Sequence, residues 1–559
     1  MKLFSNMKKA ISGLLVAAML LTAPAIATVP AQAADEKSPV EQVSSSDIVV
    51  LYDNDVHCSV AGYATMSALK KEVKTKTENV AVVSCGDFIQ GGTLGTLSKG
   101  EAIIDIMNAV GYDVVTLGNH EFDYTIPQLK KLVKKLDAKV VSCNFRTVKG
   151  NKAVFKGYTM KKFGNKKVAF VGITTPEAIT KSTPVYFQNS KGKYIYSLCN
   201  DKTGKALYDR VQKNVDLARK NGADYVVAVA HLGMEGTTSY WTSEAVIKNT
   251  SGIDVMLDGH SHENYAKEYT NKKGQNVICS QTGSKFDSIG QLVIKEDGTM
   301  TTSLVSVKEY GQSDETVQAE IDKQNGANEA LLGQVIGKTE NALTTKTPDG
   351  SARAIRTSET NLGDFCADAY RKVMNADVAL INGGGIRADI AAGNITRNDL
   401  ITVFPFGNMG CVISATGQQI LDALELGAYK YPAESGGFLQ VSGMKYTINS
   451  SIESSVKVDE NGMFEKVDGA YRVTDVKIYN KSTKKYEALK LKKKYTVAGV
   501  NYTLRKQGDG MSMFKGCKVI EDDTFSDCEV LMEYLSNNLK GVVGSTYAKP
   551  EGKGRITIK

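Results

Sequence analysis

The chain has 559 residues, 42% of them apolar and 23% charged, which excludes collagen-like, low-complexity and wholly disordered classes and leaves room for about two to four domains. Its net charge is +8, three of those charges (Lys2, Lys8 and Lys9) lie in a segment that reads as removable, and no run of five like charges occurs, so no nucleic-acid partner is expected. Nine dispersed cysteines without a CxxC exclude a dense disulfide framework; Cys517 and Cys528 could pair across a loop, and free thiols fit equally well.

Residues 1–33 read as a secretory leader, with Lys8 and Lys9, the apolar run Ile11–Leu21 and the small-residue site Ala31-Gln32-Ala33. That run has 11 residues, short of the roughly 20 a membrane span needs. No second run of spanning length follows, so the expected product is secreted or held at the cell surface, without a transmembrane segment. From Asp47 to about Thr282, short apolar runs (DIVVLY, NVAVVSC, DVVTLG, KVVSCN, KKVAFVGIT, ADYVVAVA, IDVMLDG) read as buried strands. Glu101–Val110, Ile126–Leu136 and Ala206–Lys220 carry apolar residues at three- and four-residue spacing and read as helices, the pattern of βαβ units. A hairpin is expected over Gln291–Tyr310, turning at Glu296-Asp297-Gly298. The polar stretch that follows predicts one helix over residues 313–338 joining two domains, 34–312 and 339–559. The second domain reads as α/β, with a helix after Glu359-Thr360-Asn361, a Gly-rich turn NGGGIR and the segment KYTVAGVNYTLRKQGDG.

The five histidines, His57, His120, His231, His260 and His262, each lie within a few residues of a predicted strand end, and none follows His262. Asp55, Asp87, Asn119 and Asp123 accompany them. Open α/β sheets gather ligands at the carboxyl ends of their strands, so these loops should converge in space. Imidazole, carboxylate and one carboxamide without thiolate suit zinc, manganese, iron or cobalt and disfavour a structural zinc knot. Seven candidate ligands exceed one catalytic shell, so two ions with Asp87 bridging fit better than one, and paired ions suit in-line displacement at phosphorus.

In order, DxH, GDFIQGG, GNHEFD, AHxG and GHSH resemble the calcineurin-like metallophosphoesterases. With NGGGIR, PFGN and GDG in the second half, the chain resembles the secreted 5'-nucleotidase/UDP-sugar hydrolase family from Asp47 to Gly510. The resemblance implies an α/β protein: a metallophosphoesterase domain built as a layered β-sandwich flanked by helices, a linker helix, and a C-terminal α/β nucleotide-binding domain. It implies two divalent ions, zinc, manganese or cobalt, one held by Asp55, His57, Asp87 and His262 and the other by Asp87, Asn119, His231 and His260, with a bridging hydroxide as nucleophile. His120 and Asp123 would form a dyad that binds no metal, suited to protonating the leaving oxygen.

NGGGIR alone is a turn signal. Beside Arg353, Arg356, FPFGN and QGDG, its arginine becomes a fork for phosphate and the phenylalanine a platform for a base. The resemblance assigns Arg356, Asn382 and Arg387 to phosphate, Phe406 and Asn408 to the base, and Asp509 to the ribose. The usual second aromatic, six residues before Asp509, is replaced by Thr503; a shifted register gives that role to Tyr502. The leading expectation is a secreted, metal-dependent phosphohydrolase of 5'-nucleotides. Its alternatives are a phosphodiesterase or pyrophosphohydrolase acting on 2',3'-cyclic nucleotides, UDP-sugars or dinucleotides, and a surface nucleotide-binding protein or adhesin without catalysis.

Overall fold

The computed structural model describes residues 39–234, 238–326 and 329–559; the leader read over residues 1–33 lies outside them. The strand Ile48–Asp53 is buried along its whole length, as its uninterrupted apolar run requires of a strand covered on both faces. It pairs in parallel with Val80–Ser84 and antiparallel with Ser288–Ile294. This places it inside a six-stranded sheet that continues through Val114–Val115 to Lys139–Val140. A second six-stranded sheet has Lys166–Thr174, Tyr225–His231 and Val255–Leu257 as parallel neighbours.

The two sheets face each other over an apolar layer in which Val50, Tyr52 and Val83 meet Phe170, Val227, Val229 and Leu257. Alternate residues of the same strands, such as Val49, Leu51 and Val82, point outward under the helices Ala61–Lys74 and Glu101–Val110. The helix Lys205–Lys220 covers the far side of the second sheet with Leu207, Val211 and Val215. Each such fully buried aliphatic contributes about 1.5–3 kcal/mol. The expected layered sandwich flanked by helices is therefore present, with the hairpin Ser288–Ile294 and Met300–Ser306 on its edge.

The polar stretch after the hairpin does not form one helix over residues 313–338. It makes a helix Glu315–Gly326 and a short one Glu329–Leu332, and Val335–Thr339 is already a strand of the second half, paired with Gly393–Thr396. Two observations explain the difference. Val317 and Ile321 are buried in the N-terminal core, and Asp314 accepts from Ser67 Oγ at 2.6 Å, so the first helix is part of the first half and no free connector remains.

In the second half, a five-stranded sheet runs Leu439–Ser442, Val378–Asn382, Lys494–Val500, Met409–Thr416, Lys518–Ser526. The helix Asn361–Val373, capped by the Thr360 hydroxyl on Gly363 N–H, packs Phe365 and Tyr370 on one face. The helix Gly417–Ala428 packs Ile420 and Leu424 on the other. The nine cysteines form no disulfide. Among the described residues no helix is long and apolar enough to cross a membrane.

Candidate active site

Parallel strands end at one edge of each sheet, and the loops leaving those ends carry the histidines and their acids. His57 Nε2 lies 3.8 Å from Asp55 Oδ1 and 3.9 Å from Asp87 Oδ2. His231 Nε2 is 3.2 Å from Asp87 Oδ2 and 3.8 Å from Asp55 Oδ1, and His262 Nε2 is 3.4 Å from the same Asp55 oxygen. Asp55, Asp87, His57, Asn119 and His231 are buried. His120 Nε2 approaches to 4.0 Å of Asp87 Oδ2. The histidine expected off the ions thus sits at the rim of the ligand group, whereas His260, expected on them, turns its Nε2 to Glu177 at 3.1 Å.

The far nitrogen of each inner ring is tied down. His57 Nδ1 is 3.0 Å from the carbonyl of Gln90, and His231 Nδ1 is 2.7 Å from that of Cys85. Each is thus held through Nδ1 and turns Nε2 to the centre, the arrangement that orients metal-ligating imidazoles. The backbone is bent to the same end: Asp55, His57, Asp87, His260 and His262 all have positive φ, between 47° and 82°. Non-glycine residues held there cost about 1–3 kcal/mol each and cluster at functional sites. Glycine lets two chains close on them, since a Cβ on Gly118 would lie 2.2 Å from Asp87 Oδ1 and one on Gly259 2.8 Å from Asp55 Oδ2.

Glu121, in GNHEFD, carried no expectation. Its buried carboxylate accepts main-chain N–H bonds from Gly118 at 2.7 Å, Asp87 at 2.8 Å, Phe88 at 2.9 Å and Ile89 at 3.4 Å. It clamps the loop of Asp87 to the loop of Asn119. Burial and Asp87 push its carboxyl up to about 7, against the pull of these donors. Beside it, His120 Nδ1 donates to Asp123 Oδ2 at 2.6 Å. Burial alone would lower the His120 imidazole, but Asp123 and Asp87 outweigh it and raise it above the ordinary histidine value.

The centre's own charges ask for a cation. Burial would lift Asp55 and Asp87, yet the surrounding imidazoles, His231 foremost, hold both below the usual carboxylate range. His231 is pushed up to about 10 by Asp87 and Asp55 in spite of its burial. His57 is driven well down by burial and by its neighbours His262 and Arg387. Asp55 Oδ1, Asn119 Oδ1 and His231 Nε2 are buried without a hydrogen-bond partner. Such an atom ordinarily costs about 1–3 kcal/mol. His231 Nε2 and Asp55 Oδ1 lie 3.8 Å apart and Asn119 lines the same cleft, a set of nitrogen and oxygen donors without thiolate that fits divalent zinc, manganese or cobalt.

Facing this centre are the residues read from the second half. Asn382 ends a strand, Phe406 and Asn408 precede another, and Tyr502 and Asp509 follow a third. Arg356, Asn382, Arg387, Phe406, Asn408, Tyr502 and Asp509 line one cleft of about 660 Å³ together with Asp87, Asn119, His120, Asp123, His260 and His262. Thr503 is buried away from it. The Phe406 ring lies 5.4 Å from the His120 ring and 5.8 Å from the Arg387 guanidinium. Asp527 Oδ2 accepts Asn408 N–H at 3.1 Å, while Asn408 C=O accepts Asp527 N–H at 2.8 Å, which fixes that loop.

The arginines show the opposite demand to the metal centre. Burial and repulsion from Arg353 push Arg387 down to about 10, burial with repulsion from Arg353 and Arg387 holds Arg356 well below its usual value, and Arg356 Nε is buried without a partner. An anion would satisfy both. Arg353 instead pairs with Glu434. Asp509 Oδ1 is 3.2 Å from Lys181 Nζ, Asn382 Nδ2 donates to its Oδ2 at 3.0 Å, and Tyr502 OH donates to Thr180 C=O at 2.8 Å.

Residues 49–264 match the family of calcineurin-like phosphoesterases, and residues 335–516 match the family described as 5'-nucleotidase, C-terminal domain. The chain is 28% identical over 555 residues to the trifunctional nucleotide phosphoesterase protein YfkN of Bacillus subtilis (strain 168), which covers 91% of this chain and 35% of that protein. It thus spans about a third of the length of that relative. It is 26% identical over 549 residues to the 5'-nucleotidase of Bos taurus, covering 88% of each. Among solved structures, a 5'-nucleotidase precursor from Thermus thermophilus superposes with a TM-score of 0.76 at 26% identity, over 92% of this chain and 99% of that one.

Proposed function

Because the chain belongs to the calcineurin-like phosphoesterases and carries a 5'-nucleotidase C-terminal domain, we propose that it is an exported, two-metal hydrolase that releases phosphate from 5'-nucleotides. The observation that carries this reading is the single cleft in which the histidine–aspartate centre of the first half faces the arginines and Phe406 of the second. Asp55, His57, Asp87 and His262 would hold one divalent ion and Asp87, Asn119, His231 and His260 the other. Bound there, the ions supply Lewis acidity toward phosphoryl oxygens and lower the pKa of the attacking water.

The remaining work falls to the chain. Arg356 and Arg387, with Asn382, receive the phosphate through planar forks that match its oxygens. Phe406 and Tyr502 flank the base, Asn408 contacts its edge, and Asp509 accepts from the ribose. His120, held through Nδ1 by Asp123 at 2.6 Å, keeps Nε2 free to hand a proton to the leaving 5' oxygen. Export rests on the leader read over residues 1–33. Lys181, Lys430 and Lys506 also line the cleft, which favours as a second reading substrates with a second phosphate, such as UDP-sugars or dinucleotides.

Phosphate release by the purified chain from AMP, UDP-glucose and a 2',3'-cyclic nucleotide, with and without chelator, tests both. The proposal expects AMP hydrolysis that stops on chelation and returns with a divalent transition ion. Metal-independent hydrolysis, or none of AMP, overturns it.

A further inference from the structure

No motif points to Glu177. It follows the strand Lys166–Thr174, whose last residue pairs with His231, and its side chain is buried. Oε1 accepts both the N–H of Thr238 at 2.8 Å and its hydroxyl at 2.6 Å, and Oε2 is 3.1 Å from His260 Nε2. With Oε1 taken by the two Thr238 donors, Oε2 faces His260 Nε2 as an acceptor. His260 must then carry its proton on Nε2, which leaves Nδ1 as its only lone pair.

That orientation is the reverse of its neighbours'. His57, His120 and His231 are all held from Nδ1, by Gln90 C=O, Asp123 and Cys85 C=O, and turn Nε2 inward. A neutral imidazole in water favours neither nitrogen enough to secure a ligand, and the partner of one nitrogen decides the chemistry of the other. His260 also sits at φ 82°, where its backbone is itself under constraint.

We propose that Glu177 is a positioning residue for the second metal: by accepting His260 Nε2–H it selects the tautomer that offers Nδ1 to the ion. This rests on the assignment of His260 to a metal under the proposed function. Loss of such an outer partner typically weakens metal binding about 10- to 100-fold.

Two measurements on the full chain test it. With only five histidines, long-range proton–nitrogen correlations on metal-free, histidine-labelled protein can assign each tautomer. His260 should be protonated at Nε2, and Glu177→Ala should abolish that preference. Manganese titration should show two ions in the wild type, with one site losing about 10- to 100-fold in Glu177→Ala while the other is unchanged. Glu177→Gln guards against a folding failure of the alanine variant; its single amide oxygen cannot accept from both Thr238 and His260, so it should weaken the same site. Thr238→Val, which removes only one anchoring bond, should bind both ions as the wild type does. A wild type with two ions whose affinities survive both Glu177 substitutions overturns the proposal. A wild type that binds fewer than two ions overturns the metal assignment instead, and the tautomer measurement still decides the role of Glu177 toward His260.

Discussion

Glu121→Gln is the substitution that most directly separates the scaffold of the centre from its ligands. The carboxylate takes four main-chain N–H groups, two on each oxygen: Asp87 and Gly118 on one, Phe88 and Ile89 on the other. Glutamine is the same size but presents one oxygen and one NH₂, so one pair of donors must face another donor. Its best orientation keeps the shorter bonds, at 2.7 and 2.8 Å, and strands those at 2.9 and 3.4 Å. A stranded buried N–H costs about 1–3 kcal/mol, and counting the long bond as partial gives about 2–5 kcal/mol. At roughly 2–4 °C per kcal/mol for a large domain, Tm should fall by about 4–20 °C. The same loop carries Asp87, so metal content should fall as well, though Glu121 is no ligand. Calorimetry of metal-free and metal-loaded protein, with elemental analysis of the latter, reads both quantities. A variant that keeps both ions and melts within about 2 °C of the wild type refutes the idea that this carboxylate holds the centre together.

His120→Ala should lower turnover on AMP by about 10²- to 10⁴-fold with both ions retained; concurrent loss of metal would instead make it a ligand, as its 4.0 Å approach to Asp87 permits. Phe406→Ala should cost AMP about five- to 150-fold in affinity. Because the ring also rests on His120, some loss on a base-free aryl phosphate is expected too, and equal loss on both substrates would remove Phe406 from the base site. Asp527 is buried and its carboxyl is pushed up to about 8 by burial. A folded-state value above the unfolded one means stability that is full below about pH 4 and is lost as pH rises through 8. Melting of the wild type should therefore decline across that window, and Asp527→Asn should flatten the decline; parallel curves would contradict the assignment.

What the sequence made legible follows from scarcity and spacing. Five histidines at strand ends pointed to one centre because a sheet leaves its loops nowhere else to converge, and the buried strands announced themselves as unbroken apolar runs. The helix Ala61–Lys74 escaped because its buried stripe, Tyr63, Met66, Leu69 and Val73, is diluted by Ala, Thr and Ser. The connector was misread because only Val317 and Ile321 in a polar stretch bind it to the first half. Glu121 and Glu177 were invisible for a different reason. Most of their partners are backbone N–H groups, a hydroxyl and a ring nitrogen supplied by distant loops, and a carboxylate that receives such groups leaves no pattern in its own neighbourhood. The carbonyls of Cys85 and Gln90 that hold His231 and His57 are likewise independent of residue type.

Both oxygens of Asp509 already have protein donors, Lys181 on one and Asn382 on the other. A sugar hydroxyl arriving there would trade places with a lysine or an amide, and the bond count on the carboxylate would not rise. Recognition by exchange yields little free energy, since what is gained from the ligand is given up within the protein. A nucleotide lacking that hydroxyl leaves the original pairs in place and forfeits little. On the proposed assignment of Asp509 to the ribose, the cleft would tolerate changes in the sugar, and discrimination among nucleotides would rest with the phosphate and the base.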